Sequence, residues 1–255
     1  MKHAVIFVTY KVDNTISKHF NQLKNDLSKN NDIDIWIAYN CSYSACSIKH
    51  DKIFNYNKQL IERDGFKLHY YYYNAADKDF YGHNNDLVMI DFFKHNQEYD
   101  RYWFVDYDVI YTGDWNDIIT YFDDFEYDFI CSNLLMNHRI DPCFKVYPYN
   151  VNYDYRNQLH GFTNLMMLSN RALQYLLHIY ERGAYGFLEV FFPSVLSNNK
   201  GLDNKKFILG TFNEHYFVDG HSQDDDSTMS CRDWTAEEIK DFLPNTLYHA
   251  VKNEF

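Results

Sequence analysis

The stretch Tyr102-Trp103-Phe104-Val105-Asp106-Tyr107-Asp108-Val109-Ile110-Tyr111 runs an apolar segment straight into two carboxylates one residue apart. On extended backbone, residues i and i+2 share a face, so both Asp side chains can aim oxygen ligands at one hard cation. Such a pair suits Mg2+ or Mn2+, which usually complete their coordination with water and substrate phosphates, making a nucleoside diphosphate the natural third party. The cation then neutralises the phosphate leaving group as its bond breaks. The competing reading is a solvated turn, and the apolar strand directly upstream weighs against it. The run Asp224-Asp225-Asp226 reads differently. Three consecutive carboxylates cannot all face one ion on regular structure, so a solvated loop is expected there.

The rest of the composition bounds the setting. The chain has 255 residues, 46% of them hydrophobic and 19% aromatic, with a formal net charge of −12. A chain of this length buries roughly three quarters of its unfolded surface and needs no disulfide or structural metal to fold. With 36 acidic against 24 basic residues and no dense Lys/Arg block, it lacks the electrostatic footprint for a nucleic-acid partner. A small anionic ligand stays admissible, because a bound divalent cation reverses the field locally. No apolar run reaches the ~18 to 20 residues of a transmembrane helix. The stretch Ala4 to Tyr10 has no small-residue cleavage site and reads as a core strand. The five Cys contain no C-x-x-C pair, so reduced thiols in a cytosol are expected.

The elements that must position the two carboxylates follow from hydrophobic periodicity. His3 to Thr9 reads as a strand buried on both faces, and Ile16, Phe20, Leu23 and Leu27 as one face of a helix. Ile33, Ile35 and Ile37 alternate as a second strand, a short helix is expected around Asn55 to Arg63, and Phe66 to Tyr73 reads as a third strand. A polar loop, Asn74 to Asn84, leads into a helix marked by Leu87, Ile90 and Phe93. After the strand ending at Asp106, Asp114 can cap a helix starting at Trp115. Strands are expected at Tyr127 to Cys131 and Phe162 to Leu168, with Asn133 to Gln158 irregular between them. Ser169 caps the next helix, a further helix spans Glu189 to Ser197, and Lys206 to Thr211 is a strand candidate. Thr235 and Glu238 have capping-box spacing and start a late helix that runs to Pro244. Alternation of strands and helices predicts an α/β fold with a central, mixed but mainly parallel sheet flanked by helices, whose ligands bind beyond the carboxyl ends of the strands.

Asp106-Tyr107-Asp108 in this setting resembles the D-x-D motif of nucleotide-sugar-dependent glycosyltransferases of the GT-A fold. The resemblance implies a Rossmann-like nucleotide-binding sheet, with Asp108 as the direct metal ligand and Asp106 reaching the ribose or the metal through water. Val5 to Lys11 is similar to the family's first strand, which implies that Thr9, Tyr10 and Lys11 lie near a uracil. Tyr248-His249-Ala250-Val251-Lys252 resembles the family's C-terminal segment, implying His249 as a third metal ligand and Lys252 at the diphosphate. Neutral imidazole suits manganese beside carboxylates, and a Lys offers phosphate a point charge. Tyr107 and Asn84 join the implied donor-binding set. His160-Gly161 resembles a Gly-containing turn that lines the donor sugar, and Glu189 occupies the place of a catalytic base at the start of the following helix. A helix N-terminal Glu held by the dipole is the competing reading of Glu189, and Asp203, Asp219 and Asp224 to Asp226 are further candidates for the base.

The resemblance thus implies one GT-A domain over residues 1–255, with 1–112 binding nucleotide and 113–255 facing donor sugar and acceptor. Its expected activity is Mn2+- or Mg2+-dependent transfer of a hexosyl or N-acetylhexosaminyl group from a nucleotide sugar, with uridine diphosphate as the expected carrier. The acceptor would be a hydroxyl of a glycan or glycolipid, in bacterial surface polysaccharide or lipopolysaccharide synthesis, in the cytoplasm or peripherally at the inner face of the membrane. Two alternatives stand beside it: a non-catalytic metal-dependent glycan-binding module, and a D-x-D phosphatase, which normally carries the pair on its first strand.

Overall fold

The structure, a computed structural model, describes residues 1–42, 44–68, 84–136, 158–220, 227–229 and 233–252. Its strands are β1 (His3–Thr9), β2 (Ile33–Asn40), β3 (Ile53–Tyr56), β4 (Arg101–Asp106), β5 (Ile110–Tyr111), β6 (Phe129–Met136), β7 (Leu159–Ser169), β8 (Leu209–Thr211) and β9 (Leu247–Tyr248). Its helices are α1 (Asn14–Leu27), α2 (Lys58–Arg63), α3 (Asn85–His95), α4 (Trp115–Tyr121), α5 (Asn170–Tyr180), α6 (Leu188–Asn198) and α7 (Ala236–Ile239). Seven strands form one sheet in the order β3-β2-β1-β4-β7-β6-β8, and β5 pairs with β9 in a small second sheet. In the large sheet β7 alone runs against its neighbours, β4 and β6, and the other ladders are parallel. The α/β class expected from the element order is the class observed.

The near-continuous apolar runs of β1 and β4 are those of strands covered on both faces. Ala4, Ile6, Val8, Tyr102 and Phe104 pack on one side with residues of α3, α5 and α6, while Val5, Phe7, Trp103 and Val105 pack on the other with residues of α1 and α4. Alternation along the strand produces this division, since successive side chains point to opposite faces. The caps expected from the sequence are in place: Asp114 accepts from Asn116 N–H, Ser169 from Ala172 N–H, and Thr235 and Glu238 form the reciprocal capping box.

Three expectations change. The third strand is Ile53–Tyr56, pairing parallel with β2 from Ile37↔Ile53 to Asn40↔Tyr56, and the helix begins only at Lys58 behind the Asn57 cap. Phe66 and Leu68, expected in that strand, are buried but outside any strand, and 69–73 lies outside the described residues. A four-residue edge strand carries too short a period to be separated from a helix start by pattern alone. The late helix spans only Ala236–Ile239 and stops well before Pro244. The Asn133 to Gln158 segment proves ordered at its start, where β6 continues to Met136; 137–157 lies outside the described residues, as do 74–83 and Asp224 to Asp226.

Asp86, in the first turn of α3, is buried and accepts a hydrogen bond from the Tyr180 hydroxyl at the end of α5. Burial dominates and pushes its carboxyl up to about 7. The folded state therefore holds a proton that the unfolded chain releases near pH 4, and the contribution of Asp86 to stability falls as pH rises from about 4 to about 7. Asp86→Asn, which keeps an acceptor for Tyr180, should gain stability relative to the parent across that window, by up to ~1.4 kcal/mol per pH unit. Urea midpoints at pH 4.5 and 7 measure this, and an offset independent of pH would contradict it.

Candidate functional site

β4 ends at Asp106, and the chain turns at once: Val109 N–H donates to Asp106 C=O at 3.0 Å. The backbone does not stay extended through Asp108, so strand alternation is not what relates the two carboxylates. Asp106 instead accepts from Asn164 Nδ2 on β7 at 3.1 Å. Asp108, buried, presents Oδ1 to His249 Nε2 at 3.5 Å. Contacts to neighbouring elements, and not a shared strand face, hold each Asp.

His249 reaches Asp108 through the small sheet. β5 follows the turn directly and pairs antiparallel with β9, Ile110↔Tyr248 and Tyr111↔Leu247, so His249, one residue past Tyr248, arrives on the Asp108 side. Val251 N–H donates to Asp108 C=O at 2.8 Å, His249 N–H to Thr228 C=O at 2.9 Å, and Trp234 Nε1–H to His249 C=O at 2.9 Å. A buried amide network stands behind this segment. Asn213 Oδ1 accepts from Asn133 N–H at 2.7 Å, its Nδ2 donates to Asn133 Oδ1 at 2.8 Å, and Asn133 Nδ2 donates to Ser227 Oγ at 3.3 Å.

Aromatic rings and cations surround the turn. Tyr107 is buried edge-on against Tyr10, with ring centroids 5.3 Å apart. Burial, with the Asp108 charge adding, holds the Tyr107 phenol well above its ordinary value. Lys11 Nζ lies 5.8 and 5.6 Å from the centroids of Tyr10 and Tyr107. Lys252 donates to Asp233 at 2.6 Å, and that bond, with Asp108 and Tyr10 adding at longer range, raises its ammonium pKa. Beneath the turn, His19 of α1 is buried with Nδ1 at 3.0 Å from Tyr107 C=O. Burial lowers its pKa and keeps it neutral, so Nδ1–H is the donor.

Of the residues singled out in the sequence, Tyr10, Lys11, Tyr107, Asp108, His249 and Lys252 come together. Thr9 is buried, and its hydroxyl donates to Lys11 C=O at 2.6 Å, which places it in the support of the turn after β1. Asn84 is buried at the N-terminal boundary of α3. That helix runs back against β4, so Asn84 lies toward the end of the sheet where β4 terminates.

His160 and Glu189 form a second group. β7 runs past the end of β4: its last pairing is Leu165↔Val105, and Leu159 to Asn164 overhang. Along the overhang His160, Phe162 and Asn164 are half-exposed while Gly161, Thr163 and Leu165 are buried. This period-2 pattern puts His160 and the Asp106 partner Asn164 on one face, at most about 14 Å apart. α6 docks on the start of β7 through Ser194 Oγ, which bonds both Leu159 N–H and C=O, and Glu189 in its first turn lies 3.3 Å from His160 Nε2. His160-Gly161 is thus part of a strand and not of a turn. A Cβ on Gly161 would stand 2.3 Å from Cys131 Sγ, so the glycine is required by the close passage of β7 over β6. Asp203 is drawn into an ion pair with Arg171, which also holds the buried Asp128 at the start of β6, far along the sheet from the turn. Asp219 is exposed and accepts from Gly220 N–H at 3.0 Å.

Asn164, Asn213, Trp234 and His19 are the supports that pattern reading did not assign. For Asn164 a signal existed: a polar residue facing out of an otherwise apolar strand. The amide network and Trp234 carry no such local mark.

The glycine constraint is testable. Gly161→Ala should cost ~1–3 kcal/mol through overpacking. Cys131→Ala should relieve the clash, giving a coupling of ~0.5–3 kcal/mol in a double-mutant cycle of urea unfolding. Additive effects would show that the two sites do not touch.

No protein-family model matches the chain, and no curated protein matches it. Among solved structures the chain is similar to the galactosyltransferase LgtC in complex with donor and acceptor sugar analogs, at 9% identity and TM-score 0.39 over 96% of this chain and 86% of that one. It is similar to S. aureus TarS at 16% identity and TM-score 0.39 over 85% of this chain and 62% of that one. The inositol-1-phosphate CTP transferase of T. maritima aligns at 11% identity and TM-score 0.40 over 83% and 86%. At TM-scores of 0.40 and below these likenesses carry no argument about activity.

Proposed function

We propose that the chain is a metal-dependent glycosyltransferase of the GT-A type, moving a hexosyl or N-acetylhexosaminyl group from a uridine diphosphate sugar to a hydroxyl of a glycan or glycolipid acceptor. The observation that carries this reading is the convergence of Asp108 and His249 at 3.5 Å, flanked by Lys11 and Lys252 and by the rings of Tyr10 and Tyr107. A carboxylate and an imidazole facing each other, beyond good hydrogen-bonding distance, are a donor set suited to Mn2+, so Asp108 and His249 would hold it, with Asp106 beside them on β4. When bound, the cation supplies charge neutralisation for a diphosphate leaving group.

The chain's own residues perform the remaining tasks. Lys11 and Lys252 attract phosphate oxygens in a protein that is acidic overall. Tyr10 and Tyr107 present an aromatic edge and face against which a base can rest. Asn164 fixes the Asp106 carboxylate, and His19 holds the Tyr107 carbonyl, so the turn keeps its shape when a ligand arrives. In the first turn of α6, Glu189 takes the proton of the attacking acceptor hydroxyl, oriented by His160 of the β7 overhang at 3.3 Å. The setting proposed is bacterial surface-glycan synthesis at the cytoplasmic face of the membrane. Among the described residues no helix is long and apolar enough to cross a bilayer. The phosphatase alternative expects its carboxylate pair on the first strand, whereas here the pair follows β4.

Thermal melting with UDP, GDP, CDP and ADP, each with and without Mn2+, tests the reading. UDP with Mn2+ should stabilise the fold, by ~2.7 kcal/mol at a hundredfold excess over Kd. Asp108→Asn should remove the metal-dependent part. A chain that responds to no nucleotide is not a nucleotide-sugar transferase, and one that binds glycans without nucleotide is a binding module. Glu189→Gln should keep the donor-induced shift and lose transfer by ~100-fold or more. Full turnover in that variant would remove Glu189 from the base role.

A further inference from the structure

A second group of metal-capable side chains lies where α2 and α3 end, at the opposite end of the sheet from the Asp106 turn. α2 closes in a Schellman motif: Phe66 N–H donates to Ile61 C=O at 3.2 Å and Gly65 N–H to Glu62 C=O at 3.1 Å, with Gly65 at φ +96°. This turn fixes the capping residue, Asp64, against the last turn of α3. There Asp91 and His95, four residues apart, share a helix face. One ligand atom from each of Asp64, Asp91 and His95 lies within 4.8 Å of the other two.

Two details separate this cluster from an ordinary solvated acidic patch. Asp91 is 1% exposed, and its buried Oδ1 has no hydrogen-bond partner, although it lies 3.5 Å from His95 Nδ1 inside the cluster. A buried carboxylate oxygen left in this way is costly unless a cation meets it. His95 Nδ1 lies 2.9 Å from Asp91 C=O, so Nδ1–H is the donor and the lone pair falls on Nε2, which faces Asp64 Oδ2 at 3.6 Å. A ring N–H donated to a backbone carbonyl, with the other nitrogen turned toward a carboxylate, is the orientation that metal-binding imidazoles adopt.

We propose that Asp64, Asp91 and His95 form a binding site for a divalent transition cation of the zinc class, separate from the Asp108–His249 pair. Two carboxylates and one imidazole give three protein ligands, and water completes a tetrahedral set. The imidazole selects against Mg2+ and Ca2+, and the Irving–Williams order favours Zn2+ over Mn2+. The electrostatics agree. The carbonyl ends of two helices converge here with their partial negative charge. Two cations already use this field: Lys94 Nζ bonds Asp64 C=O at 2.7 Å, and the exposed Arg63 reaches Asp64 Oδ1 at 3.2 Å and Oδ2 at 3.4 Å, the second oxygen also facing His95 Nε2. A bound ion ties α2 to α3, so the readout is affinity and stability, independent of any transferase activity.

The test uses the full chain carrying Asp108→Asn, which disables the other cation pair, stripped with chelator and titrated with Zn2+ by calorimetry. About one equivalent should bind, and Zn2+ should raise the melting temperature. His95→Gln, at a position 45% exposed, and Asp64→Asn, at a helix cap, should each weaken binding tenfold or more without unfolding the chain. Absence of Zn2+ binding in the Asp108→Asn chain overturns the proposal, as does binding that neither substitution weakens.

Discussion

Everything at the candidate site depends on how the chain leaves β4. This strand is buried from Arg101 to Val105 and ends at Asp106, its first residue that is not buried. The tight turn that follows takes Asp108 off the line of the strand and starts β5, and β5 finds its ladder partner in β9, late in the chain. The demand that backbone amides beyond the strand find partners therefore brings residues 246–251 to residues 108–112. The approach of His249 to Asp108 is a by-product of that closure.

The reversal of β7 is the second determinant. Because β7 runs antiparallel to β4 and continues past its end, the same strand that joins β4 to β6 within the sheet also forms a wall beside the turn. Its half-exposed face carries Asn164 close to the carboxylates and His160 farther out. α6 adds Glu189 by docking on the beginning of that wall. β7 thereby touches both groups, Asp106 through Asn164 and Glu189 through His160. Gly161 is what lets the wall pass over Cys131, so packing inside the sheet and placement of the site are coupled.

Much of this was legible locally, and the reasons are physical. Buried strands need continuous apolar runs, so β1 and β4 stand out. Caps need a short polar side chain at one defined position, so Asp114, Ser169 and the Thr235–Glu238 box were readable to the residue. What local pattern misassigned was where signals are short or ambiguous: the edge strand β3, four residues long, and the end of the late helix. The family resemblance also implied a turn at His160-Gly161, and a glycine required by a neighbouring side chain looks the same in sequence as one required by a backbone reversal.

The sequence by itself determined the residue types at the site, the apolar strand that delivers them, and the α/β alternation, because each follows from interactions among neighbours within a few positions. Only the tertiary structure decided that Asp108 faces His249 while Asp106 is engaged by Asn164, that Asp203 belongs to Arg171, and that Asp64 meets Asp91 and His95. These are contacts between residues from 27 to 141 positions apart or across separate helices, and they arise from register and packing, which no local period encodes.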